Sequence, residues 1–159
     1  MKEIQAPSKY VLGKDDFSIF LAGSIEMGAA EQWQRKVTEA LAGYSVTVLN
    51  PRRDDWDSSW VQSIDDANFR EQVEWELKAL EEVRIILMCL SPGTKSPVSL
   101  LELGLFHGPH MFVCCPDGFW RKGNVEVTMA YFSEPHMLYN DLDDMIESVK
   151  GYLEEWGRG

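Results

Sequence analysis

Apolar and polar positions along the chain switch between two periods. Short apolar runs, several rich in β-branched residues, occupy residues 18–22, 45–49, 85–90, 111–115 and 137–139. They read as strands. Between them the apolar residues recur at three and four, as one face of a helix requires. This pattern predicts helices over residues 30–42, 64–82 and 141–156, and one around Glu102. Phe69, Val73, Leu77 and Leu80 mark the buried side of the second helix. Leu142, Met145, Ile146, Val149 and Leu153 mark that of the last. Gly43 closes the first helix. Residues 1–16 are polar with Pro7 and Gly13, and read as an irregular arm; residues 116–125 read as a loop. Strands alternating with helices build a parallel sheet covered on both faces through right-handed connections. The expectation is a single domain over residues 1–159, with a doubly wound, flavodoxin-like α/β sheet of about five strands.

The helix around Glu102 breaks the amphipathic pattern. It follows the most apolar strand, residues 85–90, and starts at Ser96-Pro97, with serine at the N-cap and proline at the first helical position. Beyond them stand Val98, Leu100, Leu101, Leu103, Leu105 and Phe106, with Glu102 in their midst. Two readings are open. Glu102 lies on a narrow solvent stripe, or it is buried with a partner or a task, since isolated carboxylates are rarely buried.

Charge narrows the partners. The formal net charge is −11 over 159 residues, so nucleic acid polymers and anionic membranes are expected to be repelled. A neutral nucleoside is compatible with this field; a nucleotide would need a local basic pocket. No run is long enough for a membrane span, and the first ten residues have no apolar core of a signal peptide. Cys89, Cys114 and Cys115 all sit in apolar runs. An odd number of buried cysteines suits reduced core thiols in a cytoplasmic protein.

The candidate chemistry lies mostly in carboxylates. The loop 23–28, Gly-Ser-Ile-Glu-Met-Gly, fits neither the dinucleotide fingerprint nor a P-loop, and Glu26 opposes a phosphate. It reads as a structural turn whose backbone at Gly23 and Ser24 could also touch a neutral ligand. His107 and His110 lack a third ligand, so no metal is expected, and no cofactor is called for. No Gly-x-Ser-x-Gly elbow occurs and no cysteine pairs with a histidine. On the second helix Glu76 borders the buried side. The loop after the second strand carries Asn50, Arg52, Asp54, Asp55 and Asp57 with Trp56 and Trp60, beyond the carboxyl end of a strand, where ligands of such sheets bind. The tryptophans could stack on a flat ring or cap the core.

Five ordered stretches together resemble the nucleoside 2-deoxyribosyltransferase family: Phe20-Leu-Ala-Gly-Ser-Ile25, Val48-Leu-Asn-Pro-Arg-Arg53 with Asp55-Trp56, Gln72-Val-Glu-Trp-Glu-Leu77, Ser96-Pro-Val-Ser-Leu-Leu-Glu-Leu-Gly104 and Arg121-Lys-Gly-Asn-Val-Glu-Val127. The resemblance implies cleavage of the N-glycosidic bond of a 2′-deoxynucleoside, with Glu102 attacking C1′ to form a covalent ester and the sugar passing to a second nucleobase. It implies that Glu76 serves the leaving base and that Asn50, Arg52 and Asp55 hold the base edge. It also implies that Asn124 reaches the sugar of a neighbouring subunit, hence a homo-oligomer whose small-molecule partners are nucleosides and nucleobases. Two positions depart from the family pattern. Phe20 stands where many members have a tyrosine that hydrogen-bonds the nucleophile, and Ser96 stands where many have an aspartate for the sugar 5′-hydroxyl. A serine there occurs in related deoxynucleoside 5′-monophosphate glycosidases. The alternatives are therefore an N-glycoside hydrolase of nucleosides or their monophosphates, and a non-catalytic nucleoside-binding module.

Overall fold

The computed structural model describes residues 1–25, 32–53, 57, 59–132 and 137–157. Six strands form one all-parallel sheet: β1 (Lys2–Gln5), β2 (Ser18–Gly23), β3 (Thr47–Asn50), β4 (Ile85–Cys89), β5 (Met111–Cys114) and β6 (Leu138–Tyr139). Their order is β1-β3-β2-β4-β5-β6. The last five reproduce the flavodoxin-like order, and β1 adds an edge beyond it. Five helices connect or follow them: α1 (Trp33–Ala40), α2 (Ala67–Glu82), α3 (Pro97–Phe106), α4 (Lys122–Phe132) and α5 (Leu142–Trp156). Strands β2, β4 and β5 are buried along most of their length. That explains why they read as unbroken apolar runs and not as alternation.

The sequence reading needs three corrections. The N-terminal arm is not wholly irregular: residues 2–5 pair in register with residues 47–50. Only Ile4 of that strand is buried, so a polar edge strand left no period to read. Residues 122–132 form α4 where the loop 116–125 was expected to run on. Its start, Lys122-Gly-Asn, carries no helix signal. On α2 the inward residues are Gln72, Trp75, Ala79 and Leu80, while Leu77 is exposed. The face is set by Trp75, whose ring lies 6.3 Å from that of Phe20 and 5.7 Å from that of Tyr10.

Helices α1 and α5 pack on each other. Helix α2 covers the face that Phe20 presents, and α3 packs against β2. Strands β3 and β4 leave β2 on opposite sides, so the order reverses between β2 and β4. Brändén-type crevices open at the carboxyl end of such a reversal.

Candidate active site

At that reversal the backbones of β2 and β4 come unusually close. Gly23 has φ of +126°, and a Cβ there would sit 2.1 Å from the Cys89 carbonyl oxygen. Only glycine allows this approach, so Gly23 is accounted for by the sheet itself. Ser24 continues the contact: its N–H donates to the Cys89 carbonyl at 2.8 Å. Its own carbonyl accepts from Trp33 Nε1 at 2.9 Å. Its hydroxyl oxygen accepts from the Ser91 N–H at 2.9 Å and meets Thr94 Oγ1 at 2.8 Å and Ser96 Oγ at 2.6 Å. The Ser24 side chain therefore knits β2 to the loop before α3.

Ser96 occupies the N-cap of α3 but makes no side-chain cap bond. Its backbone is left-handed, with φ of 44° and ψ of 52°, where non-glycine residues are uncommon. The expected capping serine is thus turned away from its helix and toward the loop of Ser24 and Thr94. Further along α3 the usual polarity is reversed. Val98, Leu101 and Leu105 are about 60% exposed, whereas Glu102 is 7% exposed. The reading of Glu102 on a solvent stripe is excluded. Burial pushes its carboxyl up to about 8, helped by the charge of Glu76.

Glu76 projects from α2 into the same neighbourhood. Burial raises its pKa as well, opposed by a hydrogen bond from Gln72 Nε2 at 2.7 Å. Gln72, four residues earlier on the helix face, also donates to the Pro51 carbonyl at 3.0 Å. Its Oε1 accepts from Arg53 Nη1 at 3.4 Å, and the Arg53 guanidinium lies over the Trp60 ring at 4.9 Å. The loop after β3 is thereby tied to the carboxylate pair through Gln72, a residue that was not singled out as functional. The i,i+4 spacing to Glu76 is the signal that could have found it. Thr94 was missed likewise.

The remaining candidates are spread around this centre. Asn50 is buried, but its amide is engaged: Nδ2 donates to Glu3 at 2.8 Å, and Oδ1 accepts from the Arg52 N–H at 3.0 Å. Arg52 keeps Nη1 buried with no hydrogen-bond partner among the described residues, an unusual state for a cationic donor. Asn124 is exposed on the first turn of α4. Asp55 and Trp56 lie outside the described residues, as do Glu26 and His136. Phe20 is a buried ring of the core and has no hydrogen-bonding group to offer. Among the described residues no group of three His, Cys, Asp or Glu side chains is placed to hold a metal. Cys89, Cys114 and Cys115 are buried, and none is in a disulfide. No helix among the described residues is long and apolar enough to cross a membrane.

Two open cavities lie at the other end of the sheet. One, of about 460 Å³, is bounded by Tyr10, Lys14, Ser18, Lys78 and Arg84. The other, of about 680 Å³, is bounded by Lys2, Phe17, Tyr44, Thr47 and Trp156. Both lie at the amino ends of the strands, away from the carboxylate pair. Their size does not outweigh the chemistry: the pKa shifts of Glu76 and Glu102 mark the carboxyl end.

Comparison with known proteins agrees with this layout. A crystal structure of a conserved protein from Enterococcus faecalis V583 shares the fold, with a TM-score of 0.54 over 87% of this chain and 99% of that one, at 11% identity. No curated protein sequence matches the chain. The family profile described as nucleoside 2-deoxyribosyltransferase like matches residues 16–119, the stretch that carries β2 through β5 with Glu76 and Glu102. The chain belongs to the nucleoside 2-deoxyribosyltransferase-like family.

Proposed function

We propose that the protein is a nucleoside 2-deoxyribosyltransferase in which Glu102 is the nucleophile and Glu76 serves the leaving base. The observation that carries this reading is the burial of Glu102 on an otherwise apolar helix, within electrostatic reach of the half-buried Glu76 carboxyl. Two carboxyl groups in a dry site are suited to divide acid and nucleophile roles. A Glu102 Oε atom bonds to C1′ of the deoxyribose as the C1′–N bond breaks, and the electron pair leaves with the base. The base takes its proton from Glu76, which burial biases toward holding one. A ring nitrogen of an incoming nucleobase then gives its proton back to Glu76 and displaces the Glu102 carboxylate from C1′. Two displacements at one carbon retain the anomeric configuration.

At neutral pH burial leaves Glu102 mostly protonated, and attack needs the ionised form. Positive charge developing on the sugar in the transition state favours that ionisation. The buried Nη1 of Arg52, without a partner among the described residues, is a donor for an acceptor on the base edge, with Asp55 and Trp56 as its companions in the same loop. Ser96 and Asn124 are assigned to the sugar. The exposed apolar stripes of α3 (Val98, Leu101, Leu105) and α4 (Val127, Tyr131, Phe132) are assigned to contact with another copy, which would bring Asn124 of a neighbour within reach. Sedimentation as a monomer at micromolar concentration would remove that assignment. The location assigned is the cytoplasm, in keeping with three cysteines outside any disulfide.

Incubation with a 2′-deoxynucleoside, followed by peptide mass spectrometry, tests the chemistry. The expected adduct is a deoxyribosyl ester on the peptide that contains Glu102, absent in Glu102→Ala. Turnover that survives in Glu102→Ala overturns the reading.

A further inference from the structure

Three hydroxyls from two distant parts of the chain meet at the start of α3. Ser24 stands 70 residues before Thr94 and 72 before Ser96. All three are buried: Ser24 is 1% exposed, Thr94 4% and Ser96 6%. Their oxygens form a closed triangle with sides of 2.6, 2.8 and 2.9 Å. Thr94 gives its own proton to the Ser91 carbonyl at 2.8 Å. Only the protons of Ser24 and Ser96 remain for the three sides, so Thr94 acts inside the triangle as an acceptor. The triangle is further pinned by the Ser91 N–H on Ser24 Oγ.

This arrangement sits where the backbone needs outside support. Ser96 is the only non-glycine residue with positive φ among the described residues, and a proline follows it. Proline restricts the residue before it, so a left-handed serine persists here only if its surroundings fix it. The usual fixing contact, a side-chain cap on its own helix, is missing. The triangle supplies the fixing contact instead. The Ser96 carbonyl then receives the first helical bond, from the Leu100 N–H at 3.1 Å, and Glu102 follows on the next turn.

We propose that Thr94 is a positioning residue for the Glu102 site: its hydroxyl locks Ser96 in the left-handed conformation and so sets where α3 begins and how Glu102 is presented. The effect on catalysis rests on the reading of Glu102 as nucleophile; the effect on the geometry of α3 does not. Thr94→Val keeps the shape of the side chain and removes the hydroxyl. Thr94→Ser keeps the hydroxyl.

The experiment uses the full chain and two readouts. Steady-state transfer of deoxyribose to an acceptor base gives kcat and KM. Carbon-13 NMR of the labelled Glu102 carboxyl gives its titration without reference to activity. In Thr94→Val, kcat is expected to fall about tenfold or more with KM little changed, and Glu102 to titrate below its starting point of about 8. Thr94→Ser is expected to restore both. Unchanged kcat and unchanged titration in Thr94→Val overturn the proposal while leaving the nucleophile reading standing. A wild-type protein without turnover, but with a titration displaced by Thr94→Val and restored by Thr94→Ser, overturns the nucleophile reading and supports the positioning role. A loss of thermal stability alone, with the titration of the folded protein unmoved, counts against it. If Thr94→Val does not fold, Thr94→Ala is read by the same criteria, since it removes the same two sides of the triangle, those to Ser24 and Ser96.

Discussion

Helices α3 and α5 both start at the carboxyl edge of one sheet, and they are built by opposite rules. In α5, Asp141 has an extended backbone and accepts hydrogen bonds from the N–H groups of Asp143 and Asp144. Met145, Ile146, Val149 and Leu153 point inward, and acids fill most of the exposed positions, with Tyr152 and Trp156 exposed near the end. Cap, dipole and burial all favour the same fold. In α3, the N-cap serine is left-handed and does not cap, apolar side chains face outward, and a carboxyl group lies inside. Local rules broken together in one element mark a place where stability yields to function. The contrast also shows why the two large cavities at the amino edge are poor guides. The charges bordering them, such as Lys78 paired with Glu82, are half-exposed, and solvent screens what they do.

The contrast breaks most sharply at Glu102. Glu102→Gln is expected to lower turnover by about a thousandfold or more, measured by base exchange. The same change is expected to stabilise the fold. Glu102 is raised from 4.5 to about 8, so the native state holds a proton that the unfolded chain releases. This group costs stability increasingly as pH rises from about 4.5 to about 8, and nothing below that window. At pH 7 the cost is about 3 kcal/mol, and Glu102→Gln should recover much of it in urea unfolding at pH 7, with the gain vanishing toward pH 4. A destabilised Gln variant at pH 7 would mean that Glu102 is well solvated or well paired, and α3 would then resemble α5 after all.

Smaller changes sharpen the comparison. The Glu76 charge is one of the two causes that raise Glu102, so Glu76→Gln should move the pH profile of kcat/KM to an onset below about 8 and reduce the maximal rate through loss of the proton donor. A profile that stays put would separate the two carboxyls. On α5, Asp141→Ala removes an ordinary cap and should cost about 1 kcal/mol in thermal or urea unfolding. Turnover at 25 °C should not change. A large loss of turnover there would show that the two helices are not independent.

Much of the architecture was legible because periodicity follows directly from where water is. Strands β2 to β6 and helices α1, α2, α3 and α5 each leave a run or a stripe in the sequence. Strand β1 left none, because an edge strand with one buried residue has no alternation to detect. Helix α4 opens on Lys122-Gly-Asn and looks like a loop. The inward face of α2 was misplaced by about one residue, since Trp75 and Gln72 turn toward neighbours that no local window contains. At the site, Glu102 and Glu76 were legible as residues out of keeping with their surroundings. Thr94 and Gln72 were not, because their roles depend on partners that folding supplies.

The sequence by itself determined the alternation of strand and helix, the acidic net charge, and the presence of a lone carboxylate among leucines, since each is a sum over local choices. Only the tertiary structure decided which side of α3 faces inward, and therefore that Glu102 is buried beside Glu76. A helix with apolar residues nearly all round has no face of its own; the sheet beneath it and the three hydroxyls at its start choose one.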